Sequence, residues 1–140
     1  MNSKHDGDIA EAFTTALFLS KGYTVLQPVG DNQRYDLVVE NGDGFRKIQV
    51  KSCSIKNGCV VAYTRSVHNS RTKTTCIVYN TNEIDAFALY CKDNGQLYYI
   101  NAKDIADDNG DLPKTVSLRV HASKNNQTKN VKWAKDYIFE

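Results

Sequence analysis

The chain has 140 residues, of which 41% are apolar and 24% are charged, and its formal net charge is +2. This length and apolar content predict one compact domain spanning residues 1–140. No apolar run approaches the roughly 18 residues that a membrane-spanning helix needs, and the first residues lack an apolar signal region. We therefore expect a soluble, cytoplasmic protein that does not engage membranes.

The charges are segregated along the chain. Residues 44–82 and 112–135 contain basic side chains and no acidic ones, whereas residues 1–43 and 83–111 are predominantly acidic. The basic side chains of the two acid-free segments are Arg46, Lys47, Lys51, Lys56, Arg65, Arg71 and Lys73, then Lys114, Arg119, Lys124, Lys129, Lys132 and Lys135. Such segments suggest a surface that faces a polyanion, although a solvated polar face has a similar composition.

The first predicted element is a helix over residues 6–21, ended by Gly22. Its apolar face is predicted from four side chains that recur at helical spacing, Ile9, Phe13, Ala16 and Leu17. Glu11 lies off this apolar stripe. Asp6 and Asp8 are expected to favour the N-terminus of the helix, where carboxylates are stabilised by the helix dipole.

Strands are predicted from short apolar or alternating runs that are bounded by turn residues. They span residues 24–29, 35–40, 45–52, 59–64, 76–79, 84–91, 96–100 and 116–120. Asn101 is expected to cap a short helix over residues 101–107, and Trp133 and Tyr137 are expected to anchor the C-terminal segment. A helix followed by hairpin-linked strands predicts an α/β (α+β) fold with a mixed central β-sheet flanked by helices.

The hairpin predicted over residues 34–52 carries the most functional information. Its second strand alternates apolar and polar residues, so Gln49 and Lys51 share one face, and the hairpin register can bring Asp36 near them. Two oxygen ligands beside an ammonium group suggest a site where a hard cation meets a phosphate. The alternative is an ordinary surface hairpin with polar residues on its solvated face.

These residues form part of a wider pattern that resembles the PD-(D/E)xK nuclease superfamily. The matching segments are GDIAE (7–11), KGY (21–23), PVGDNQRYDLVV (28–39), IQVKS (48–52) and IDAFALYC (84–91). Within the superfamily the pattern resembles endonucleases associated with group I introns, which are relatives of archaeal Holliday-junction resolvases. The resemblance implies a restriction-endonuclease-like core. Gln49 departs from the consensus because it stands where the superfamily carries an acidic residue, a change that the intron-associated branch accepts.

The resemblance implies a site-specific, Mg²⁺-dependent DNA endonuclease of the homing type. It acts on double-stranded DNA without an organic cofactor, and Mn²⁺ is expected to substitute for Mg²⁺. The implied catalytic residues are Glu11, Asp36, Gln49 and Lys51, and the implied metal ligands are Glu11, Asp36, Gln49 and the carbonyl of Val50. Cutting both strands requires two such sites, so we expect a homo-oligomer, either a dimer or a tetramer. The expected setting is nucleoid-associated, in a bacterial, phage or organellar context.

Two polar, basic segments are candidates for DNA contacts. Residues 64–75 show neither helical nor strand periodicity and are predicted to form a loop. Residues 122–135 begin with a stretch close to a linker in composition, for which disorder in the free protein is a compatible interpretation. The expected contacts come from cationic, hydroxyl and amide side chains together with one histidine: Arg65, Ser66, His68, Ser70, Arg71, Lys73, Lys124, Asn126, Lys129 and Lys132.

Two other functions remain open at this point. A Holliday-junction resolvase shares the predicted core and needs chiefly phosphate contacts and shape. A catalytically silent DNA-binding module is suggested by Gln49. The four cysteines lack CxxC spacing, and they are predicted to be reduced, packed thiols rather than zinc ligands.

Overall fold

The computed structural model describes residues 3–122, 125 and 131–140. It contains one α-helix, α1 (Ser3–Ser20), and two short 3-10 helices, at Ala102–Asp104 and Ala134–Tyr137. The strands are β1 (Thr24–Leu26), β2 (Leu37–Glu40), β3 (Phe45–Lys56), β4 (Cys59–Tyr63), β5 (Arg65–Asn69), β6 (Thr74–Val78), β7 (Ala86–Cys91), β8 (Gln96–Asn101) and β9 (Thr115–Arg119). None of the helices in these ranges is long and apolar enough to cross a membrane.

Seven of the strands form one mixed sheet, which confirms the predicted sheet type. Its path runs β1–β2–β3–β4–β9, and β7 pairs with β3 and with β8. β3 and β7 are parallel, and the other pairs within the described sheet are antiparallel. β3 is longer than predicted because its first part pairs with β2, its middle with β7 and its end with β4. This central strand carries the candidate site.

The predicted buried face of α1 is wrong. Ala10, Thr14 and Phe18 are buried, whereas Ile9 and Phe13 are each 38% exposed. Ala10 and Thr14 are small, which suits a close approach of α1 to the sheet. The Thr14 hydroxyl donates a hydrogen bond to the Ala10 carbonyl (2.7 Å), so its burial leaves no polar group unsatisfied. Apolar side chains occur on both sides of this helix, so their spacing alone did not identify the buried one.

The ends of α1 show one confirmation and one correction. Gly22 ends the helix with φ +90°, and the Tyr23 N–H bonds to the Phe18 carbonyl (3.1 Å) in a Schellman arrangement. The helix extends back to Ser3, several residues before the predicted start. Asp6 lies in its first turn and also forms an ion pair (3.1 Å) with Lys92, the residue that follows β7.

The core consists of two clusters on opposite faces of the sheet. Along β7, Ala86 and Ala88 belong to the cluster under α1, while Phe87 and Leu89 belong to the other. The sheet is flanked by α1, the one α-helix of the described residues, on one face and by the two 3-10 helices on the other, which confirms the predicted fold class. The face opposite α1 packs against side chains of the inter-strand connections and of the C-terminal segment, among them Tyr79, Ile105, Leu112, Ala134 and Tyr137.

The C-terminal segment is tied down at more points than predicted. The backbone of Trp133 bridges to Arg119, and Tyr137 packs against the core, as expected of the two anchors. Phe139, which the sequence did not single out, packs on Phe18 with ring centroids 4.5 Å apart. It completes the cluster under α1.

Three further predictions need correction. Residues 64–75 are not a loop, because β5 and β6 pair as an antiparallel two-stranded hairpin separate from the main sheet. Asn101 does not cap a helix: its side chain makes no capping bond and its oxygen accepts one from Arg46 instead. The described cysteines are all free thiols, but Cys76 is exposed on β6 rather than packed.

Candidate active site

The β2–β3 hairpin fixes Asp36 at the centre of the site. Asp36 directly precedes β2, and its N–H donates to the Ile48 carbonyl (2.9 Å), which continues the antiparallel ladder. The ladder therefore places the Asp36 side chain over the middle of β3. There Oδ2 accepts a hydrogen bond from the Val50 N–H (2.9 Å). This bond holds the carboxylate in one orientation beside the residues that follow it on β3.

Gln49 and Lys51 lie on either side of this anchored point. Gln49 is 8% exposed, an unusual degree of burial for a glutamine side chain. Its amide nitrogen makes a long contact of 3.5 Å to the Val50 carbonyl. Lys51 is half-buried, and the strand period puts it on the same face of β3 as Gln49. The structure therefore places Gln49 and Lys51 on either side of the residue that anchors Asp36, and their roles in a site remain predictions.

Glu11 reaches the site from α1. It is half-buried, and its Oε1 accepts a hydrogen bond from Gln27 Nε2 (3.3 Å). Glu11 and Asp36 line the same cavity of about 230 Å³, whose wall is the connection between β1 and β2. The remaining lining residues are Gln27, Pro28, Gly30, Asp31, Gln33 and Tyr35. The two carboxylates therefore share an accessible cleft.

Burial makes both carboxylates harder to ionise. Desolvation raises the pKa of Asp36, and the Val50 N–H and the Lys51 ammonium offset only part of that effect. The pKa of Glu11 is raised by desolvation first, then by the negative charge of Asp36 and by that of Asp8. The carboxylates repel one another in a partly dry cleft, and a bound cation would relieve both penalties.

Lys51 is held by contacts other than a direct ion pair. The ion pairs found among residues 3–122, 125 and 131–140 are Arg34–Glu83 and Lys92–Asp6. The Lys51 ammonium instead donates to the Arg65 carbonyl (3.4 Å) and lies over the Tyr79 ring, 5.4 Å from its centroid. It acts on Asp36 through space, by lowering the pKa that burial raises.

The donor set fits a hard divalent cation. Carboxylate, amide and backbone carbonyl oxygens are available from Glu11, Asp36, Gln49 and Val50, and such oxygens are the ligands that Mg²⁺ and Mn²⁺ prefer. No group of three or more His, Cys, Asp or Glu suited to a metal occurs among the described residues. A cation bound here would therefore depend on the amide or backbone oxygens in addition to the two carboxylates.

The candidate DNA contacts divide between described and undescribed residues. Arg65, Ser66 and His68 lie on β5, and Ser70, Arg71 and Lys73 lie in the exposed turn that joins β5 to β6. The Ser70 hydroxyl donates to the Lys73 carbonyl (2.9 Å) and so belongs to this turn. Lys132 is exposed, and its carbonyl accepts from the Arg119 N–H (2.7 Å). The predicted contacts at Lys124, Asn126 and Lys129 lie outside the described residues.

The sequence analysis missed an aromatic–cation group beside the hairpin. Tyr63, half-exposed at the end of β4, has the Lys56 ammonium 5.4 Å and the Arg65 guanidinium 5.3 Å from its ring centroid. The sequence offered one signal for this group, namely that Tyr63 lies within an acid-free basic segment. Tyr79 was missed as a neighbour of Lys51, because no sequence spacing relates the two residues.

Comparisons with known proteins bear on the family and on the fold of the chain. A family model described as PD-(D/E)XK endonuclease matches residues 1–140. A solved structure described as that of a bacterial homing endonuclease, I-Ssp6803I, superposes with a TM-score of 0.78 at 26% sequence identity. The match covers 99% of this chain and 89% of that one. No curated protein matches the sequence.

Proposed function

Because the chain belongs to the PD-(D/E)XK endonuclease family, we propose that it is a site-specific, Mg²⁺-dependent DNA endonuclease of the homing type. The observation that carries the proposal is the Asp36 carboxylate, which is anchored on the Val50 N–H, shares a cleft with Glu11 and is close enough to Lys51 to feel its charge. The similarity to a bacterial homing endonuclease over nearly the whole chain supports the homing type. The substrate is double-stranded DNA, and the reaction is hydrolysis of its phosphodiester bonds.

Glu11, Asp36, Gln49 and the Val50 carbonyl would hold the Mg²⁺ ion, and Mn²⁺ would replace it. When bound, the ion supplies Lewis acidity at the scissile phosphate and acidifies the attacking water. The acidic family position is occupied by Gln49, so among the proposed metal ligands the negative charge comes from Asp36 and Glu11. Asp36 orients its ligand oxygen through the Val50 N–H, and Gln49 contributes a neutral oxygen.

Lys51 provides the positive charge that the chain itself brings to the reaction. Its charge already acts on the Asp36 carboxylate. In the reaction the ammonium stabilises the negative charge that develops on the non-bridging phosphate oxygens. It also orients the attacking water by hydrogen bonding. A charged donor that is preorganised in a partly dry cleft is worth more than the same donor in water.

The β5–β6 hairpin provides the DNA-binding surface nearest this cleft. Its first residue contacts Lys51 through the Arg65 carbonyl, and its turn exposes Arg71 and Lys73 to solvent. A two-stranded ribbon has dimensions that fit the major groove of B-form DNA. A duplex bound by the hairpin therefore has its backbone close to the cleft. Residues 122–135 extend the same role in this proposal.

Two such sites are needed to cut both strands of a duplex. A homo-oligomer, a dimer or a tetramer, satisfies this need, because each protomer then cuts one strand at symmetry-related positions. The proposal therefore includes self-association, which sedimentation of the purified protein measures directly.

The substrate class is tested by offering two DNAs to the purified protein with Mg²⁺. One is a library of duplexes with random sequence, and the other is a four-way junction. We expect cleavage of a small subset of the duplexes, with a recoverable sequence in common, and no preference for the junction. Preferential cleavage of the junction would support a resolvase instead.

A silent DNA-binding module is the other function that a specific observation favours, namely the glutamine at position 49. It predicts DNA binding without cleavage under every metal condition. The proposed endonuclease predicts instead that Lys51→Ala abolishes the cleavage seen with wild type. Lys103→Ala is the matched control: it removes an equal charge from an exposed position on the first 3-10 helix and should leave cleavage intact.

A further inference from the structure

Tyr79 is a buried aromatic residue fixed by its surroundings. It follows β6 directly, is 4% exposed and packs edge-on against Phe87, with ring centroids 6.0 Å apart. Its carbonyl accepts a hydrogen bond from the Leu112 N–H (2.9 Å). The ring therefore has one well-determined position within the core cluster opposite α1.

Two cationic side chains lie over this ring. The Lys51 ammonium is 5.4 Å and the Arg34 guanidinium 5.9 Å from its centroid. Arg34 is itself held by Glu83 (3.0 Å), whose second oxygen accepts from the Asn80 N–H (3.0 Å). The electron-rich face of an aromatic ring attracts cations within about 6 Å, most strongly where water is excluded.

The second contact of Lys51 comes from the β5–β6 hairpin, which Tyr79 directly follows. The Arg65 carbonyl, at the start of β5, accepts from the Lys51 ammonium at 3.4 Å. Tyr79 follows the end of β6, and the backbone of the hairpin pairs Arg65 with Val78. A long lysine side chain otherwise samples many rotamers, and these two contacts limit it to the region beside Asp36.

We propose that Tyr79 is a positioning residue that, together with the Arg65 carbonyl, holds the Lys51 ammonium in place beside Asp36 for phosphodiester hydrolysis. This inference rests on the proposed function and adds to it a residue outside the metal-binding set. It also gives the β5–β6 hairpin a second role, because Arg65 at its open end and Tyr79 directly after it both contact the lysine.

Three variants test the proposal on the full chain. Tyr79→Phe keeps the ring, Tyr79→Leu removes it, and Tyr98→Leu removes a different buried ring of the same core cluster. Tyr98 lies on β8, which pairs with β7 and not with β3, so its loss controls for reduced stability. DNA affinity and the cleavage rate at saturating DNA and Mg²⁺ are measured for each protein.

We expect Tyr79→Leu to cleave about 2- to 30-fold more slowly, the range that corresponds to a cation–aromatic contact, with DNA affinity unchanged. Tyr79→Phe and Tyr98→Leu should both retain the wild-type cleavage rate. If wild type cleaves DNA and Tyr79→Leu cleaves it at the same rate, the inference about Tyr79 is overturned but the proposed function is not. Wild-type protein that cleaves no DNA would overturn the proposed function and this inference with it.

A spectroscopic measurement locates the lysine without using activity. In metal-free protein labelled at lysine, the Hε resonances of Lys51 should be displaced upfield by the Tyr79 ring current, and Lys51→Arg identifies them. The displacement should persist in Tyr79→Phe and Tyr98→Leu and disappear in Tyr79→Leu. If Tyr79→Leu does not fold, the wild-type spectrum still decides, since an undisplaced Lys51 signal would overturn the inference.

Discussion

Substituting Asp36 separates two properties of its carboxylate, the hydrogen bond to the Val50 N–H and the negative charge. Asp36→Asn keeps an oxygen acceptor of the same length and removes the charge. Asp36→Ala removes both. Comparing the stability of the two variants with that of the wild type, with and without Mg²⁺, therefore tests the site independently of catalysis.

The structure gives the size of the hydrogen-bond effect. Val50 is 8% exposed, so Asp36→Ala leaves its N–H without an acceptor in a nearly dry position. An unsatisfied buried donor costs about 1–3 kcal/mol. With an unfolding entropy of about 2.1 cal/mol/K per residue over 140 residues, this loss lowers the Tm by about 3–10 °C. Asp36→Asn should avoid most of it.

Removing the negative charge of Asp36 should raise the stability of the metal-free protein, whereas removing the hydrogen bond lowers it, and the effect of the charge depends on pH. Burial raises the pKa of Asp36 in the folded state, so folding favours the protonated acid. The stability that comes from this preference for the protonated acid is fully present below the unfolded pKa of about 3.9. It is lost as the pH rises through the folded pKa. Metal-free Asp36→Asn should therefore be more stable than the wild type at neutral pH, and this advantage should vanish below about pH 4.

Mg²⁺ should reverse the order of the two proteins. At a concentration 100 times its Kd, a ligand that binds only the folded state adds about 2.7 kcal/mol, which corresponds to an increase in Tm of about 9 °C for this chain. The wild type should gain this increase, and both Asp36 variants should gain much less. Thermal unfolding followed by circular dichroism measures all of these differences. Equal Mg²⁺ stabilisation of wild type and Asp36→Asn would refute the metal-site assignment.

Three further predictions concern the metal affinity, the DNA affinity and the stability of the protein. Gln49→Glu should bind Mg²⁺ more tightly and retain cleavage, because a carboxylate is a stronger ligand for a hard cation; calorimetric titration that finds weaker binding would contradict this. Arg71→Ala should weaken DNA binding and reduce the slope of log affinity against log salt by about one phosphate contact, whereas Lys103→Ala should leave both unchanged. Phe18→Ala should cost about 3–5 kcal/mol of unfolding free energy, and Phe13→Ala much less; similar denaturant midpoints would contradict the buried face of α1.

The β2–β3 hairpin was predictable because its signals are local. Strand alternation put Gln49 and Lys51 on one face, and the turn residues between the strands limited where Asp36 could lie. The buried face of α1 was not predictable in the same way, since Ile9 and Phe13 are as apolar as the buried Phe18. What selects Ala10 and Thr14 is the close approach to the sheet, a tertiary requirement that helical periodicity does not contain.

The β5–β6 hairpin and the environment of Lys51 depend on contacts between distant residues. Residues 65–78 are mostly polar with short apolar runs, so their pairing appears only once the two strands lie side by side. The approach of Tyr79 to Lys51 depends on that pairing and on the packing of the ring against Phe87. Sequence reasoning therefore predicted the members of the candidate site on β2 and β3, and missed the residue that holds its lysine.

The central claim is that Lys51 and the neighbouring carboxylates form a metal-dependent cleavage site. Its most direct test is the cleavage rate of wild type and Lys51→Ala on a duplex selected from the random library by binding to the wild-type protein, with DNA affinity measured in parallel. The account predicts that wild type cleaves only when Mg²⁺ or Mn²⁺ is added, and that Lys51→Ala binds the same duplex but cleaves it at least about 100-fold more slowly. Cleavage by Lys51→Ala at the wild-type rate, or wild-type protein that binds the duplex and never cuts it with either metal, would contradict the account.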